Sequence, residues 1–203
     1  AIKKASEPLH IQWNPATDEV EVVNYSAGTR KGLTAKVQIL NMDGSVAWEK
    51  EATVDSNEDT TNKCIKLAFP VNLSKVHFIK MVLTENGKVV SDNFYHRSLE
   101  ENNYQDLRQL AKVALQSTTT VDKHADGTWS AVSVIENKTS TPALMIRLNV
   151  VGNKDGQQLL PVFYSDNYFS LLPGEKKEVR MSWKDEDTRG NEGKVLITGY
   201  NVE

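Results

Sequence analysis

Over most of this chain apolar and polar residues alternate with a period of two, the signature of strands that bury one face of a sheet. Leu33, Ala35, Val37 and Ile39 fall on one side of a pleat, with Thr34, Lys36 and Gln38 on the other. The same alternation predicts strands over Leu9 to Trp13, Glu19 to Tyr25, Ser45 to Val54 and Lys63 to Phe69, and two more within Val76 to His96. Asp43-Gly44 and Asn86-Gly87 sit between alternating runs, where tight hairpin turns need residues that accept positive φ. The pattern then returns at Val113 to Thr119, Thr128 to Asn137, Pro142 to Val151, Leu159 to Phe163, Lys176 to Trp183 and Lys194 to Val202. Asp155-Gly156 and Pro173-Gly174 mark further turns, the latter suited to type II.

One stretch departs from this period. Ser98 and Glu101 are spaced as a capping box, and Tyr104, Leu107, Leu110 and Ala114 recur at three- and four-residue steps, which predicts a short helix. The expected organisation is all-β: an immunoglobulin-like β-sandwich over residues 1–97, a helical connector over 98–112, and a second immunoglobulin-like sandwich over 113–203. The halves share landmarks. Val22-Val23-Asn24 and then Asp43-Gly44 in the first recur as Ile135-Glu136-Asn137 and Asp155-Gly156 in the second, at offsets of 113 and 112 residues. That predicts two copies of one topology.

Composition narrows the function classes. The 203 residues are 39% hydrophobic and 25% charged, the balance of a globular protein, and the net charge of −3 argues against a nucleic-acid partner. No apolar run reaches membrane-spanning length. Cys64 is alone, so no internal disulfide forms, and the CIKLAF alternation reads it as a small buried hydrophobe. A first residue other than Met and the lack of an apolar leader suggest a processed chain or a piece of a larger one.

No catalytic apparatus is legible. His10, His77, His96 and His124 lack metal-ligand spacing, there is no nucleophile elbow and no phosphate-binding loop, and no cofactor is expected. The acidic run Asp55 to Asn62 lacks the ligand spacing of a calcium loop and reads as a solvated turn. Glu100-Glu101 and Asp185-Glu186-Asp187 lie in polar runs, without the burial that a general acid needs. Asn24, Asn72 and Asn137 each start a glycosylation sequon. Trp48, Trp129 and Trp183 sit in strands and read as core. The candidate contact site is the loop that crowds Phe163, Tyr164, Tyr168 and Phe169 around Ser165, Asp166 and Asn167; from it, Tyr164, Asp166, Asn167, Tyr168 and Phe169 are the candidate sugar or protein contacts.

EPLHIQWNPATDEVEVVN at the start, SDNFYHRSLEENNYQDLRQL in the middle and above all LPVFYSDNYFSLLPGEKKEV resemble the C-terminal region of family-2 glycoside hydrolases of the exo-β-glucosaminidase and β-mannosidase type. In that family a catalytic (β/α)8 barrel is followed by immunoglobulin-like sandwiches, and the catalytic glutamates lie on the barrel. The resemblance thus implies a non-catalytic piece that packs on the barrel of its own parent chain, the parent being a retaining glycosidase acting on β-linked mannose or glucosamine without a metal. It also implies export to the periplasm or surface of a bacterium. Two rival readings stay open: an independent carbohydrate-binding module, which needs an exposed aromatic platform, and a surface adhesion tandem.

Overall fold

A computed structural model describes residues 7–203; the first six positions of the expected lead-in lie outside the described residues. The chain divides into two compact units, one ending at Gln109 and the other starting at Leu110.

The first unit is a sandwich of seven strands: β1 (Leu9–Asn14), β2 (Glu19–Asn24), β3 (Arg30–Asn41), β4 (Val46–Ser56), β5 (Thr60–Lys66), β6 (Val76–Glu85) and β7 (Lys88–Ser98). One sheet has the order β1-β2-β5, the other β4-β3-β6-β7. The alternation decides which side chains face inward. Leu33, Ala35, Val37 and Ile39 of β3 meet Ile79, Met81 and Leu83 of β6 and, from the opposite sheet, Ile11, Val20, Val22 and Ile65. Asn86 and Gly87, at φ +50° and +75°, make the β6–β7 hairpin turn that their residue types predict. Along one flank the two sheets are tied by side chains: Ser91 Oγ accepts the Ile11 N–H at 3.2 Å, and Asn93 Nδ2 donates to the Ile11 carbonyl at 3.2 Å.

The connector differs from expectation. The chain forms a single 3₁₀ turn over Gln105–Gln109 with no buried residue, in place of a helix. Ser98 ends β7, and its hydroxyl accepts the Glu100 N–H in a local turn, while the Glu100 carboxylate binds Asn103 and Lys75. Asn102 takes φ +59°, which a right-handed helix cannot contain. The apolar stripe had the right spacing, but Tyr104 stays exposed and Leu107 only half-buried, so no packing offsets the cost of nucleating a short helix.

The second unit repeats six strand positions of the first but not the whole expected topology: one of its sheets gains an edge strand, and the other has no counterpart of β7. Its strands are β8 (Gln116–Lys123), β9 (Thr128–Glu136), β10 (Ala143–Gly152), β11 (Phe163–Tyr164), β12 (Phe169–Leu171), β13 (Lys176–Lys184) and β14 (Gly193–Thr198), in sheets β11-β13-β9-β8 and β12-β10-β14. Its core gathers Ala131, Ile135, Ile146, Leu148, Val150, Val179, Met181 and Trp183. Two predicted strands shift. The strand expected from Val113 starts at Gln116, because the Val113 N–H is taken by the Asn201 carbonyl at 2.7 Å. The strand expected over Leu159 to Phe163 reduces to Phe163–Tyr164, since Pro161 has no N–H to give a ladder and Leu159 is already bonded to Val150. The unit also differs from the first at one flank: β14 has no partner on its outer edge among the described residues, and every residue of β8 is exposed.

The landmark asparagines occupy equivalent places. Asn24 is buried at the end of β2; its amide donates to the carbonyls of Gly28 (2.9 Å) and Ser56 (3.4 Å) and accepts the Ala27 N–H (3.0 Å). Asn137, buried just after β9, donates to Thr141 (2.8 Å) and Leu171 (3.0 Å) and accepts from Thr139 (3.1 Å). Each ties the exit of the second strand to the crossing between sheets. The internal repeat is therefore physical as well as textual.

Candidate functional site

The aromatic loop runs from β11 to β12, and its structure follows from what β10 lacks. β10 pairs with β14 over Arg147 to Gly152, but on its other side β12 reaches only Ala143 and Ile146. Beyond that, side chains of the loop take the place of a strand. Asn167 accepts the Leu148 N–H at 2.9 Å and donates to the Leu148 carbonyl at 3.0 Å, so that one amide copies one rung of a ladder. The Tyr164 hydroxyl accepts the Val150 N–H at 3.2 Å, and burial pushes its phenol above the usual pKa. Ser165 continues the β13 pairing through its N–H to Arg180 and its Oγ from Arg180.

The five candidate contact residues thus divide. Phe169 is buried in the core of the unit, with the Lys177 ammonium 4.9 Å from its ring centre. Asp166 forms an ion pair with Lys177 and accepts the Asn167 N–H at 2.8 Å. Tyr164 and Asn167 spend their polar groups on β10. Only Tyr168 turns its ring outward, 59% exposed, with the Arg147 guanidinium 5.7 Å away. The exposed Phe163 lies on the other sheet. A crowded aromatic loop is, in this fold, mostly a splice for an unpaired strand.

The remaining chemistry-bearing residues are structural. Asp185 accepts the Trp129 indole N–H at 2.7 Å and pairs with Lys123 at 2.9 Å; these bonds, Lys123 first, hold its carboxyl below the usual range, the opposite of what a general acid needs. Asp55 lies in β4 and accepts the Gly32 N–H of β3, and only residues 57–59 of the acidic run form the turn into β5. His77 is fully buried, Nδ1 facing the Ser74 carbonyl at 3.2 Å, and burial lowers its pKa. Among the described residues no three His, Cys, Asp or Glu converge on a metal-sized site. Cys64 is half-buried, and burial raises its thiol to about 11, far from a reactive thiolate. Trp183 is buried and lies parallel to the half-buried Trp129 at 6.2 Å, so the Trp183 ring is no platform for sugar. Asn24 and Asn137 are sealed by their hydrogen bonds, which leaves Asn72 as the exposed asparagine of the three sequons.

Sequence reasoning missed three features. Arg97 lies between aromatic rings, its guanidinium carbon 3.9 Å from the Phe69 centre and 5.4 Å from that of Trp13, with Asp18 at 3.7 Å. These residues are far apart in the chain, and no local pattern joins them. The second feature is a bulge at Met145, which points an apolar side chain out of β10. The third is Leu196, whose exposure alternates correctly along β14 but was hidden in an apolar run.

Comparison with known proteins agrees with this architecture. The model of the exo-β-D-glucosaminidase Ig-fold domain family matches residues 93–202, and that of the mannosidase Ig/CBM-like domain matches residues 18–98. The exo-β-D-glucosaminidase of Streptomyces avermitilis is 32% identical over 98% of this chain, and that of Amycolatopsis orientalis 30% identical over 98%. The crystal structure of the Amycolatopsis orientalis exo-chitosanase CsxA superposes with a TM-score of 0.90 at 29% identity over 98% of this chain and 26% of that one. The chain spans about a quarter of the length of these curated relatives, 25% for the Streptomyces enzyme. The β-D-mannosidase of Dictyoglomus thermophilum, at 15% identity and a TM-score of 0.66, shares the fold. With two sandwiches, each matched by a domain family of these glycosidases, the chain belongs to the immunoglobulin-fold domains of the exo-β-glucosaminidase and mannosidase group of family-2 glycoside hydrolases.

Proposed function

We propose that this chain is the accessory, non-catalytic part of a retaining family-2 glycosidase that removes glucosamine or mannose from β-linked chain ends, and that it packs on and stabilises the catalytic barrel of the same polypeptide. The observation that carries the reading is the match itself: nearly the whole chain aligns with only a quarter of exo-β-glucosaminidases, through domain families named for their immunoglobulin fold. The polar groups of the loop between β11 and β12 are used in holding strands together, which suits a support. The relatives favour glucosamine over mannose as the sugar of the parent, since those at 30% identity or more are exo-β-glucosaminidases. An enzyme working on polymer ends would act outside the cytoplasm, in the periplasm or at the surface.

The test is to produce the parent polypeptide whole and with residues 1–203 deleted, and to assay both on p-nitrophenyl β-glucosaminide, β-mannoside and β-galactoside. The whole parent should cleave the glucosaminide fastest, and the deletion should lose most turnover or unfold at lower temperature. Unchanged turnover and midpoint would remove the supporting role, and cleavage by residues 1–203 alone would overturn the reading.

A further inference from the structure

Seven non-glycine residues have positive φ among those described, and five of them are Asp18, Asp59, Asn86, Asn102 and Arg189, polar residues at turns. The other two are Met145 (φ +52°) and Tyr168 (φ +59°), large side chains that meet the left-handed region with strain. They are neighbours in the fold. Met145 sits in the bulge where β10 takes three steps, Ala143 to Ile146, against two on β12, and its N–H reaches Ser170 Oγ at 3.3 Å, two residues from Tyr168.

In both cases the strained backbone turns a large side chain to solvent: Met145 is 50% exposed and Tyr168 59%. Bulges commonly re-aim a side chain toward a functional surface. Arg147 lies over the Tyr168 ring, and across β14 the same outward face continues through Thr198, opposite Arg147, to Leu196, 43% exposed and opposite Asn149. The inward alternation of β10, Ile146, Leu148 and Val150, is fully buried, so the outward set is not needed for the core. An apolar centre with an arginine and short polar groups beside it has the make-up of a protein interface rather than of a solvated sheet.

We infer that the outward face of the sheet β12-β10-β14, centred on Met145 and Tyr168, is the surface on which the catalytic domain of the parent polypeptide packs. The inference rests on the accessory-domain reading above. The occupant is assigned from the relatives, in which about three quarters of the polypeptide lies outside the part that this chain matches.

Met145 supplies its own reporter, because an exposed thioether oxidises and a covered one does not. The parent polypeptide, native and unfolded in guanidinium, is treated with hydrogen peroxide, and sulfoxide is quantified at each methionine by peptide mass spectrometry. Met81 and Met181, buried in the two cores, serve as protected references. Met145 should oxidise about tenfold or more slowly in the native parent than in the unfolded one. A photo-reactive benzoylphenylalanine in place of Tyr168 should then cross-link to a peptide of the catalytic domain. Oxidation of native Met145 at nearly the unfolded rate overturns the inference. So does protection that appears only when a glucosamine oligosaccharide is added, or a cross-link to a second copy of the chain. An open Met145 in a parent whose turnover still requires residues 1–203 sinks the docking face alone, whereas turnover indifferent to the deletion sinks the accessory reading itself.

Discussion

Asn24 and Asn137 show how single residues hold each sandwich. Each amide closes three backbone groups at a buried corner, and replacing it by Ala leaves those groups without partners. Asn24→Ala and Asn137→Ala should each cost about 2–3 kcal/mol, read from urea unfolding; a loss within experimental error would mean that water replaces the amide without penalty. Both positions were visible in the chain as repeat landmarks, but their role was not, because the partners of Asn24 and Asn137 include Ser56 and Leu171, over thirty residues away. His77 carries a pH dependence. Burial lowers its folded pKa below the usual value near 6.5, so the unfolded chain binds the proton more readily. The stability it supports is full above about pH 6.5 and declines as pH falls from there toward the lower folded value. Urea midpoints at pH 7 and pH 5 should therefore fall less with acid in His77→Phe than in the parent sequence.

The elements were legible where one face is buried and the turn chemistry is local. The β6–β7 hairpin is the clearest case: alternation placed both strands, and Asn86-Gly87 placed the turn. A Cβ at Gly87 would meet nothing within 4 Å, so any penalty there comes from its φ of +75°. Gly87→Ala should accordingly destabilise by about 1 kcal/mol in thermal unfolding, without loss of the hairpin; no change would mean that the turn relaxes to another type. The connector was misread for the complementary reason. Tyr104, Leu107 and Leu110 have helical spacing, but spacing states only which residues would share a face, and the packing partner that makes a short helix worthwhile was missing. The loop between β11 and β12 shows another limit: that Asn167 and Tyr164 complete β10 was not legible, because strand-completing side chains and ligand-binding ones have the same composition.

Across the whole molecule, each unit has a core drawn from its own residues, Leu9 to Tyr95 in the first and Val113 to Val202 in the second. Fold class, the two modules, the strand positions they share and the family resemblance were all determined by the sequence, since a period of two, turn dipeptides and a repeated Asn landmark are local quantities that do not need coordinates; the edge strands, β7 in one unit and β11 in the other, broke the expected identity of topology. The tertiary structure decided the rest. It gave the polar groups of Tyr164, Asp166 and Asn167 partners within the unit, buried Phe169, left Tyr168 facing outward, and brought Met145 beside it across a bulge. Burial and strain belong to the assembled chain: whether an aromatic side chain is core, splice or surface depends on which distant strand stops short beside it, and no run of residues carries that information by itself.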